Sequence, residues 1–268
     1  MISFPNAKIN LGLHVVSRLA SGYHAIETIF YPIPLCDALE ITPSDAFTFR
    51  PSGLKLEGPE ADNLVVRAMR QLYPGEPPPI AVHLHKAIPC GAGLGGGSSN
   101  AAFMLRMLNE TQELQLSLDE LESKAATIGA DCPFFVRNRP VFATGTGNIF
   151  APIELSLAGM RITLVKPSFG VSTAEAYAGI IPREPLYNIR EIIDTPVSKW
   201  PALLHNDFED TVIKSHPQIG KIKDALYKEG ALYASMSGSG SAVYGIFDKE
   251  TSLRRRFPDC FVWEGELS

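Results

Sequence analysis

The sequence predicts an α+β fold of two domains in which the sheets are largely antiparallel or mixed. Its 268 residues suffice for one large domain or two of ordinary size. A hydrophobic content of 45% with 20% charged residues is typical of a globular protein. Strand-like and helix-like segments do not alternate regularly, which argues against a doubly wound parallel sheet. We place an N-terminal domain at residues 1–155 and a C-terminal domain at residues 156–268.

The first part of the chain is predicted to contain several strands and one helix. Apolar and polar residues alternate over residues 7–16, which is the period of a half-buried strand. Residues 35–50 continue in strand-like segments interrupted by Pro43, and residues 80–88 alternate again. Residues 62–72 carry their apolar side chains on one helical face.

Successive helices are predicted in the middle of the chain. The first covers residues 100–109. Ser117 and Glu120 form a capping box at the start of the second, and Gly129 suits its C-terminal end. Pro133 suits the first turn of a further short helix.

The remainder of the chain is predicted to return to strands and helices in mixed order. Residues 141–150 form a strand with a glycine turn, and residues 161–165 begin the second domain. Residues 217–229 form a helix. A second loop of small residues, 235–241, precedes a strand over residues 242–247.

One segment, Pro89-Cys-Gly-Ala-Gly-Leu-Gly-Gly-Gly-Ser-Ser99, has five glycines among eleven residues. It lies between a predicted strand and a predicted helix. Glycine lets a ligand approach the backbone closely, and free N–H groups at a helix N-terminus form a site for an anion. The segment therefore predicts a loop that holds the phosphates of a nucleotide.

Other interpretations of this loop are weaker. Gly91-x-Gly93-x-x-Gly96 matches the dinucleotide fingerprint, but no apolar strand follows the first helix as a βαβ unit requires. The lysine that ends a Walker loop is missing, as are the His-Arg-Asp and Asp-Phe-Gly sequences of protein kinases. A plain glycine turn without a ligand stays open, although so many glycines cost backbone entropy.

Composition excludes several function classes. A net charge of −5 argues against broad nucleic-acid binding. The N-terminus has no signal-peptide pattern, and no apolar run approaches the ~20 residues that cross a bilayer. The four cysteines are scattered without a CxxC pair, which favours reduced thiols over a zinc site or disulfides. We predict a cytoplasmic protein with no dedicated metal site, no membrane partner and no nucleic-acid partner.

Three segments together resemble the GHMP family of small-molecule kinases. They are Pro5-Asn-Ala-Lys-Ile-Asn-Leu-Gly-Leu13, the glycine-rich segment 89–99, and Met236-Ser-Gly-Ser-Gly-Ser-Ala-Val-Tyr244. Three shorter motifs narrow the resemblance to the branch that acts on a cytidine-diphosphate-linked alcohol: Gly22-Tyr-His24, Asp62-Asn-Leu64 and Gly129-Ala-Asp-Cys-Pro-Phe-Phe135.

The resemblance implies a kinase with an ATP cleft between its domains. The implied reaction transfers a phosphoryl group from ATP, accompanied by Mg²⁺, to the 2-hydroxyl of a cytidine-diphosphate-linked methylerythritol, a precursor of isoprenoids. Other GHMP kinases act on mevalonate, sugars or homoserine, and these substrates stay open as alternatives. A dinucleotide-dependent oxidoreductase and a nucleotide-binding protein without turnover are further alternatives.

The resemblance also implies two catalytic residues. Lys8 would be a fixed cation beside the transferring phosphoryl group, and Asp131 would accept the proton of the substrate hydroxyl. Pattern alone, without the resemblance, favours a solvated lysine on a strand edge for Lys8 and an N-cap acid of the following helix for Asp131.

Binding residues follow from the same resemblance. Asn63 would meet the adenine, and the loop would hold the ATP phosphates through Pro89, Cys90, Gly91, Ala92, Gly93, Leu94, Gly95, Gly96, Gly97, Ser98 and Ser99. Ser98 and Ser99 would also cap the helix after the loop. The alcohol substrate would contact Asn10, Tyr23, His24, Lys86, Thr173 and Tyr177. Pattern alone equally makes Thr173 a helix cap and Tyr177 a core aromatic, and a lysine at position 86 is expected to extend towards the strand end.

Overall fold

The computed structural model describes all residues from 1 to 268 and consists of strands and helices in mixed order. The strands are β1 (Ile2–Ser3), β2 (Asn6–Arg18), β3 (His24–Cys36), β4 (Ala38–Pro43), β5 (Thr48–Gly53), β6 (Ile80–Lys86), β7 (Val141–Thr144), β8 (Ile149–Pro152), β9 (Arg161–Lys166), β10 (Tyr233–Met236), β11 (Val243–Phe247) and β12 (Phe261–Glu266). The α-helices are α1 (Leu64–Leu72), α2 (Gly96–Thr111), α3 (Leu118–Ala126), α4 (Cys132–Arg137), α5 (Thr173–Tyr177), α6 (Ile189–Ile192), α7 (Glu209–Ser215) and α8 (Pro217–Lys228).

The strands form three four-stranded sheets, with orders β1-β4-β6-β5, β2-β3-β7-β8 and β10-β11-β9-β12. In the first sheet, β5 pairs in parallel with β6 while β4 pairs antiparallel with both β1 and β6. The third sheet is antiparallel throughout. The predicted α+β class with largely antiparallel or mixed sheets is therefore confirmed.

The chain divides into two compact units that are not contiguous in sequence. The first comprises residues 1–7, 35–90 and 95–139, and the second comprises residues 8–34, 91–94 and 140–268. The glycine-rich segment contributes residues to both units. A packing unit and a sequence domain are different divisions of a chain, so the boundary after residue 155, like the ATP cleft between the domains, stays a prediction.

The first unit packs helices on the sheet β1-β4-β6-β5. Helix α2 contacts α1, α4 and strand β4, so it is the central helix of the unit. The predicted alternation of β6 is confirmed, since Ile80, Val82, Leu84 and Lys86 are all buried. Helix α1 buries Val65, Val66, Ala68 and Met69 on one face, as its apolar periodicity predicts.

The second unit has its own apolar core. Helix α8 packs on β10 and β11 and is itself contacted by α7. The core joins residues far apart in sequence, among them Leu13 and Val15 of β2, Val165 of β9 and Phe208. No helix in the structure is long and apolar enough to span a bilayer.

Several local predictions are confirmed in detail. Ser117 and Glu120 form the reciprocal hydrogen bonds of a capping box at α3. Pro133 lies in the first turn of α4. The loop of residues 145–148 joins β7 to β8 as an antiparallel hairpin, as predicted for residues 141–150.

Two predictions about strands need correction. Residues 6–15 of β2 are buried without exception, so the strand is covered on both faces rather than half-buried. Polar side chains of the strand have partners within the second unit; Asn10 Nδ2, for example, donates to the Thr28 hydroxyl. In addition, Ser235 and Met236, predicted to belong to the small-residue loop, are the last two residues of β10.

Candidate active site

The glycine-rich segment ends in the first turn of α2, which begins earlier than predicted. Gly95 is the N-cap residue with φ of 67°, a conformation that side chains with a Cβ rarely adopt. No side chain caps the helix, which corrects the expectation that Ser98 or Ser99 does so. The first N–H groups of a helix have no partner within it, so those of Gly96 and Gly97 suit an anion.

Ser99 carries a second indication of a ligand at this helix end. Its side chain is fully buried, yet its hydroxyl has no hydrogen-bond partner. Burying an unpaired hydroxyl costs about 1–3 kcal/mol. A phosphate oxygen, or a cation bound to it, would satisfy this group, so the residues present fit a phosphate ligand.

The middle of the glycine-rich segment, residues 91–94, is held by the small-residue loop that precedes β11. The hydroxyl of Ser237 donates to the carbonyl of Gly93 over 2.8 Å, and Ala242 N–H donates to the carbonyl of Ala92 over 3.2 Å. A Cβ at position 93 would lie 1.9 Å from the Ser237 carbonyl oxygen, and φ there is 73°. Only glycine fits at this contact, where the two small-residue loops pack together.

Lys8 is buried, with 3% of its surface exposed, so it is not a solvated lysine on an edge. Its Nζ donates to Asn10 Oδ1 over 2.6 Å and lies 4.5 Å from the centre of the Phe30 ring. Asn10 Nδ2 in turn donates to the Thr28 hydroxyl over 3.0 Å, and that hydroxyl donates to the carbonyl of Gly12. This chain of hydrogen bonds fixes the ammonium group before any ligand binds. Substrate contact by Asn10 stays a prediction.

Asp131 precedes α4 but its carboxylate makes no cap hydrogen bond with that helix. The interpretation of Asp131 as a plain N-cap acid is therefore wrong. Next to it, burial raises the pKa of the Cys132 thiol to about 11, against a smaller opposite effect of a hydrogen bond with Ser98. Cys132 is thus a neutral packing residue at neutral pH, and the catalytic role of Asp131 stays a prediction.

Lys86 does not extend into solvent at the strand end, and its contact with substrate stays a prediction. Its side chain is 2% exposed, and its Nζ is ion-paired with Asp37 and bonded to Asn100 Oδ1 over 3.1 Å. Asp37 also accepts hydrogen bonds from the N–H groups of Ala87 and Ile88 at 2.7 and 2.8 Å, and from Asn100 Nδ2 at 2.8 Å. This buried cluster anchors the backbone that enters the glycine-rich segment. Nothing in the sequence around Asp37 indicates this role, because its partners lie about fifty positions away.

The Asp37→Asn variant is expected to lose about 3–5 kcal/mol of unfolding free energy, because it leaves the Lys86 ammonium buried without a counter-ion. Denaturant unfolding measures this loss. The double variant Asp37→Asn/Lys86→Met removes the uncompensated charge and should recover part of the stability. A single variant within 1 kcal/mol of the wild-type protein would contradict this account of the cluster.

The aromatic residues predicted to hold a base are partly brought together. The rings of His24 and Tyr177 stack at 4.7 Å between centroids and 14° between planes. Tyr177 also packs edge-on against Phe208 at 4.7 Å. Tyr23 is 68% exposed and therefore available to a ligand. His24 and Tyr177 thus form one contact surface, while Tyr23 lies open beside His24 in the chain.

Two further binding candidates have local structural roles. Asn63 is the N-cap of α1, where its Oδ1 accepts from Val65 N–H over 2.9 Å. Its amide group remains compatible with a ligand. Thr173 is not a helix cap, since Ser172 caps α5 by accepting from Glu175 N–H. The Thr173 hydroxyl lies 3.5 Å from that of Ser239 and is exposed.

No group of three or more His, Cys, Asp or Glu side chains is placed to hold a metal ion. The βαβ unit required by the dinucleotide alternative is also absent, since α2 is followed by α3 rather than by a strand. That alternative is therefore excluded by the order of the elements.

Comparison with protein families identifies two matching domains. The model of the GHMP kinases N terminal domain matches residues 63–139, and that of the GHMP kinases C terminal domain matches residues 197–260. The first contains the glycine-rich segment and Asp131; the second contains the small-residue loop.

Similar proteins cover the whole chain. A protein of Parabacteroides distasonis named 4-diphosphocytidyl-2-C-methyl-D-erythritol kinase is 56% identical over 271 residues, covering 100% of both chains. A protein of the same name from Bacteroides thetaiotaomicron is 55% identical over 258 residues, covering 94% of each. A crystal structure of 4-(cytidine 5'-diphospho)-2C-methyl-D-erythritol kinase has a TM-score of 0.82 at 30% identity and covers 100% of this chain and 99% of its own. Methanococcus jannaschii mevalonate kinase, with a TM-score of 0.73 at 17% identity and coverage of 100% and 98%, shares the fold alone.

Proposed function

The chain belongs to the GHMP kinases, and from this membership we propose that it phosphorylates the 2-hydroxyl of 4-diphosphocytidyl-2-C-methyl-D-erythritol. It is an ATP-dependent small-molecule kinase. The full-length identity of 56% to a kinase of that name carries the proposal. The Gly22-Tyr-His24 turn supports it, because the resemblance assigns this turn to the cytosine base, a group that mevalonate, homoserine and simple sugars lack.

In the proposed reaction, the backbone of residues 89–99 holds the ATP phosphates. The N–H groups of Gly96 and Gly97 at the start of α2 and the unpaired hydroxyl of Ser99 support this role. Asn63 would contact the adenine. Mg²⁺ would arrive with ATP and supply charge neutralisation on the phosphates, since Mg²⁺ in kinases is held mainly by phosphates and one or two protein groups.

Lys8 and Asp131 would act on the reacting groups. The Lys8 ammonium, held by Asn10, would stabilise the negative charge of the transferring phosphoryl group. Asp131 would orient the substrate hydroxyl and accept its proton. Phosphoryl transfer passes through a loose transition state, so orientation matters as much as deprotonation.

Tyr23, His24 and Tyr177 would hold the cytosine ring. The contact between His24 and Tyr177 at 4.7 Å leaves no space for a third ring between them. The base would therefore stack on an outer face, with exposed Tyr23 as a wall, or displace His24 from Tyr177. Thr173 would contact the substrate through its exposed hydroxyl. The cytoplasmic location and the absence of a nucleic-acid partner stay predictions.

An assay of ADP release, with purified protein, ATP and one candidate alcohol at a time, tests the proposal. Turnover is expected with 4-diphosphocytidyl-2-C-methyl-D-erythritol and not with mevalonate, homoserine or simple sugars. The phosphorylated carbon is identified by NMR of the product. Faster turnover of one of the other alcohols would overturn the proposal and identify a different GHMP kinase.

The Tyr23→Ala variant is expected to raise the KM for the cytidine substrate about tenfold, because stacking of a base on an aromatic ring contributes about 1–3 kcal/mol. Tyr23 is 68% exposed, so its removal should leave the fold and the KM for ATP unchanged. Tyr187→Ala, at another exposed tyrosine, is the matched control. Equal KM values in Tyr23→Ala and the wild-type enzyme would remove Tyr23 from the site.

A further inference from the structure

Residues 206–209 carry buried polar side chains that the proposed reaction does not use. The exposed fractions of Asn206, Asp207 and Glu209 are 1%, 4% and 3%. Buried polar groups are costly unless they are bonded, so each is expected to hold a particular neighbour. The segment leads into α7, whose first residue is Glu209, and belongs to the same compact unit as Lys8 and residues 91–94.

Both the nitrogen and the oxygen of the Asn206 carboxamide are hydrogen-bonded. Its Nδ2 donates to the carbonyl of Met236 over 2.8 Å and to that of Gly238 over 2.9 Å. Its Oδ1 accepts from Phe208 N–H over 3.1 Å. The two carbonyls flank Ser237, so a single side chain fixes the backbone on both sides of that serine.

Ser237, which lies between the two carbonyls bound by Asn206, makes contacts with two parts of the candidate active site. Its hydroxyl accepts from Asn10 N–H over 3.3 Å and donates to the carbonyl of Gly93 over 2.8 Å. Asn10 lies on the strand that carries Lys8, and Gly93 lies in the glycine-rich segment. Displacement of Ser237 would therefore move residues 91–94 of the glycine-rich segment relative to β2.

The residues on both sides of Asn206 are hydrogen-bonded to β2. Leu13 N–H donates to the carbonyl of His205 over 2.9 Å, and Asp207 N–H donates to the carbonyl of Leu13 over 2.8 Å. Asp207 Oδ2 also accepts from Val15 N–H over 2.8 Å. The two neighbours of Asn206 in the chain, His205 and Asp207, thus fix its backbone to the strand that carries Lys8.

Glu209 holds the same loop from its other end. Its Oε1 accepts from Met236 N–H over 2.7 Å and from the Ser235 hydroxyl over 3.1 Å, and its Oε2 is paired with Lys223. Glu209 fixes the approach to the loop, whereas Asn206 holds the two peptide groups around Ser237.

We infer that Asn206 is a positioning residue for ATP: through Ser237 it sets the place of residues 91–94 against the strand of Lys8. This inference rests on the proposed function, in which the glycine-rich segment holds the phosphates. A carboxamide is required because one nitrogen must donate to two carbonyls. Aspartate has the same shape but only acceptor atoms.

Asn206→Asp and Asn206→Ser test the inference. Each is expected to raise the KM for ATP about tenfold, because both lose at least one donor to buried carbonyls. The KM for the alcohol should stay within twofold, a split that general loss of folded protein does not produce. Asn188→Asp is the matched control, since Asn188 is exposed and its cap of α6 needs only a side-chain oxygen. The serine variant introduces no buried charge and serves where the aspartate variant does not fold.

A double-mutant cycle with Ser237→Ala tests the proposed route. Because both residues act through one link, the KM for ATP in Asn206→Ser/Ser237→Ala should be close to that of the worse single variant. If the KM for ATP in the double variant rises by the product of the two single increases, the two residues act independently and the route through Ser237 is wrong. A folded Asn206 variant with an ATP KM within twofold of wild type would overturn the inference.

Calorimetric titration with ATP alone separates this inference from the proposed function. Weaker ATP binding by the Asn206 variants supports the positioning role whichever alcohol the enzyme accepts. Wild-type protein that binds ATP but does not phosphorylate the cytidine substrate would refute the proposed substrate and not the role of Asn206.

Discussion

Replacing Lys8 by methionine is expected to lower kcat about 10³-fold, the upper part of the range for removing one group that stabilises transition-state charge. Methionine keeps the apolar stem that packs near Phe30 and removes only the ammonium group. The KM for ATP should change little, because the backbone of the glycine-rich segment would bind the phosphates. Single-turnover kinetics with saturating ATP would measure the loss directly.

The Lys8→Met variant also has a clear structural expectation. A buried ammonium is replaced by an apolar group of similar length, but Asn10 Oδ1 loses its donor, so the free energy of unfolding should fall by about 1–3 kcal/mol while the protein stays folded. Lys249→Met, at an exposed lysine, is the control for a change of net charge. A kcat within threefold of wild type would show that Lys8 is a structural residue after all.

Pattern in the sequence was sufficient to place Lys8 and Asn10 on one face of the first long strand, and their hydrogen bond confirms it. It was also sufficient to place the glycine-rich segment between a strand and a helix. Both features are local, since they depend on residues within a few positions of one another. Local periodicity and turn chemistry fix such features before any tertiary contact forms.

The failures have a common physical origin in partners that are distant along the chain. The period of β6 correctly turns Lys86 inward, but its counter-ion Asp37 is 49 positions away. Asn206 holds carbonyls 30 and 32 positions further on, and no spacing rule connects them. The backbone of Asn10 in β2 likewise bonds to Ser237 and Tyr244, which are 227 and 234 positions away. Tertiary packing decides these contacts, and a single sequence does not display it.

Changing Asp131 to asparagine is expected to lower kcat about 10²-fold or more, the usual scale for loss of a general base. The fold should be unaffected, because the carboxylate does not cap α4 and asparagine has the same shape. ATP binding should be unchanged, which calorimetric titration can establish independently of turnover. Asp224→Asn, at an exposed aspartate in α8, is the control for the lost charge.

Comparison of Asp131→Asn with Asp131→Ala separates orientation from proton acceptance. Asparagine keeps an oxygen that can accept a hydrogen bond from the substrate hydroxyl, whereas alanine keeps none. If orientation supplies most of the effect, the asparagine variant should turn over at least tenfold faster than the alanine variant. If proton acceptance supplies it, the two variants should be equally slow. A loose transition state needs little early deprotonation, so we expect the asparagine variant to be the faster of the two. Near-normal turnover by the alanine variant would remove Asp131 from the reaction.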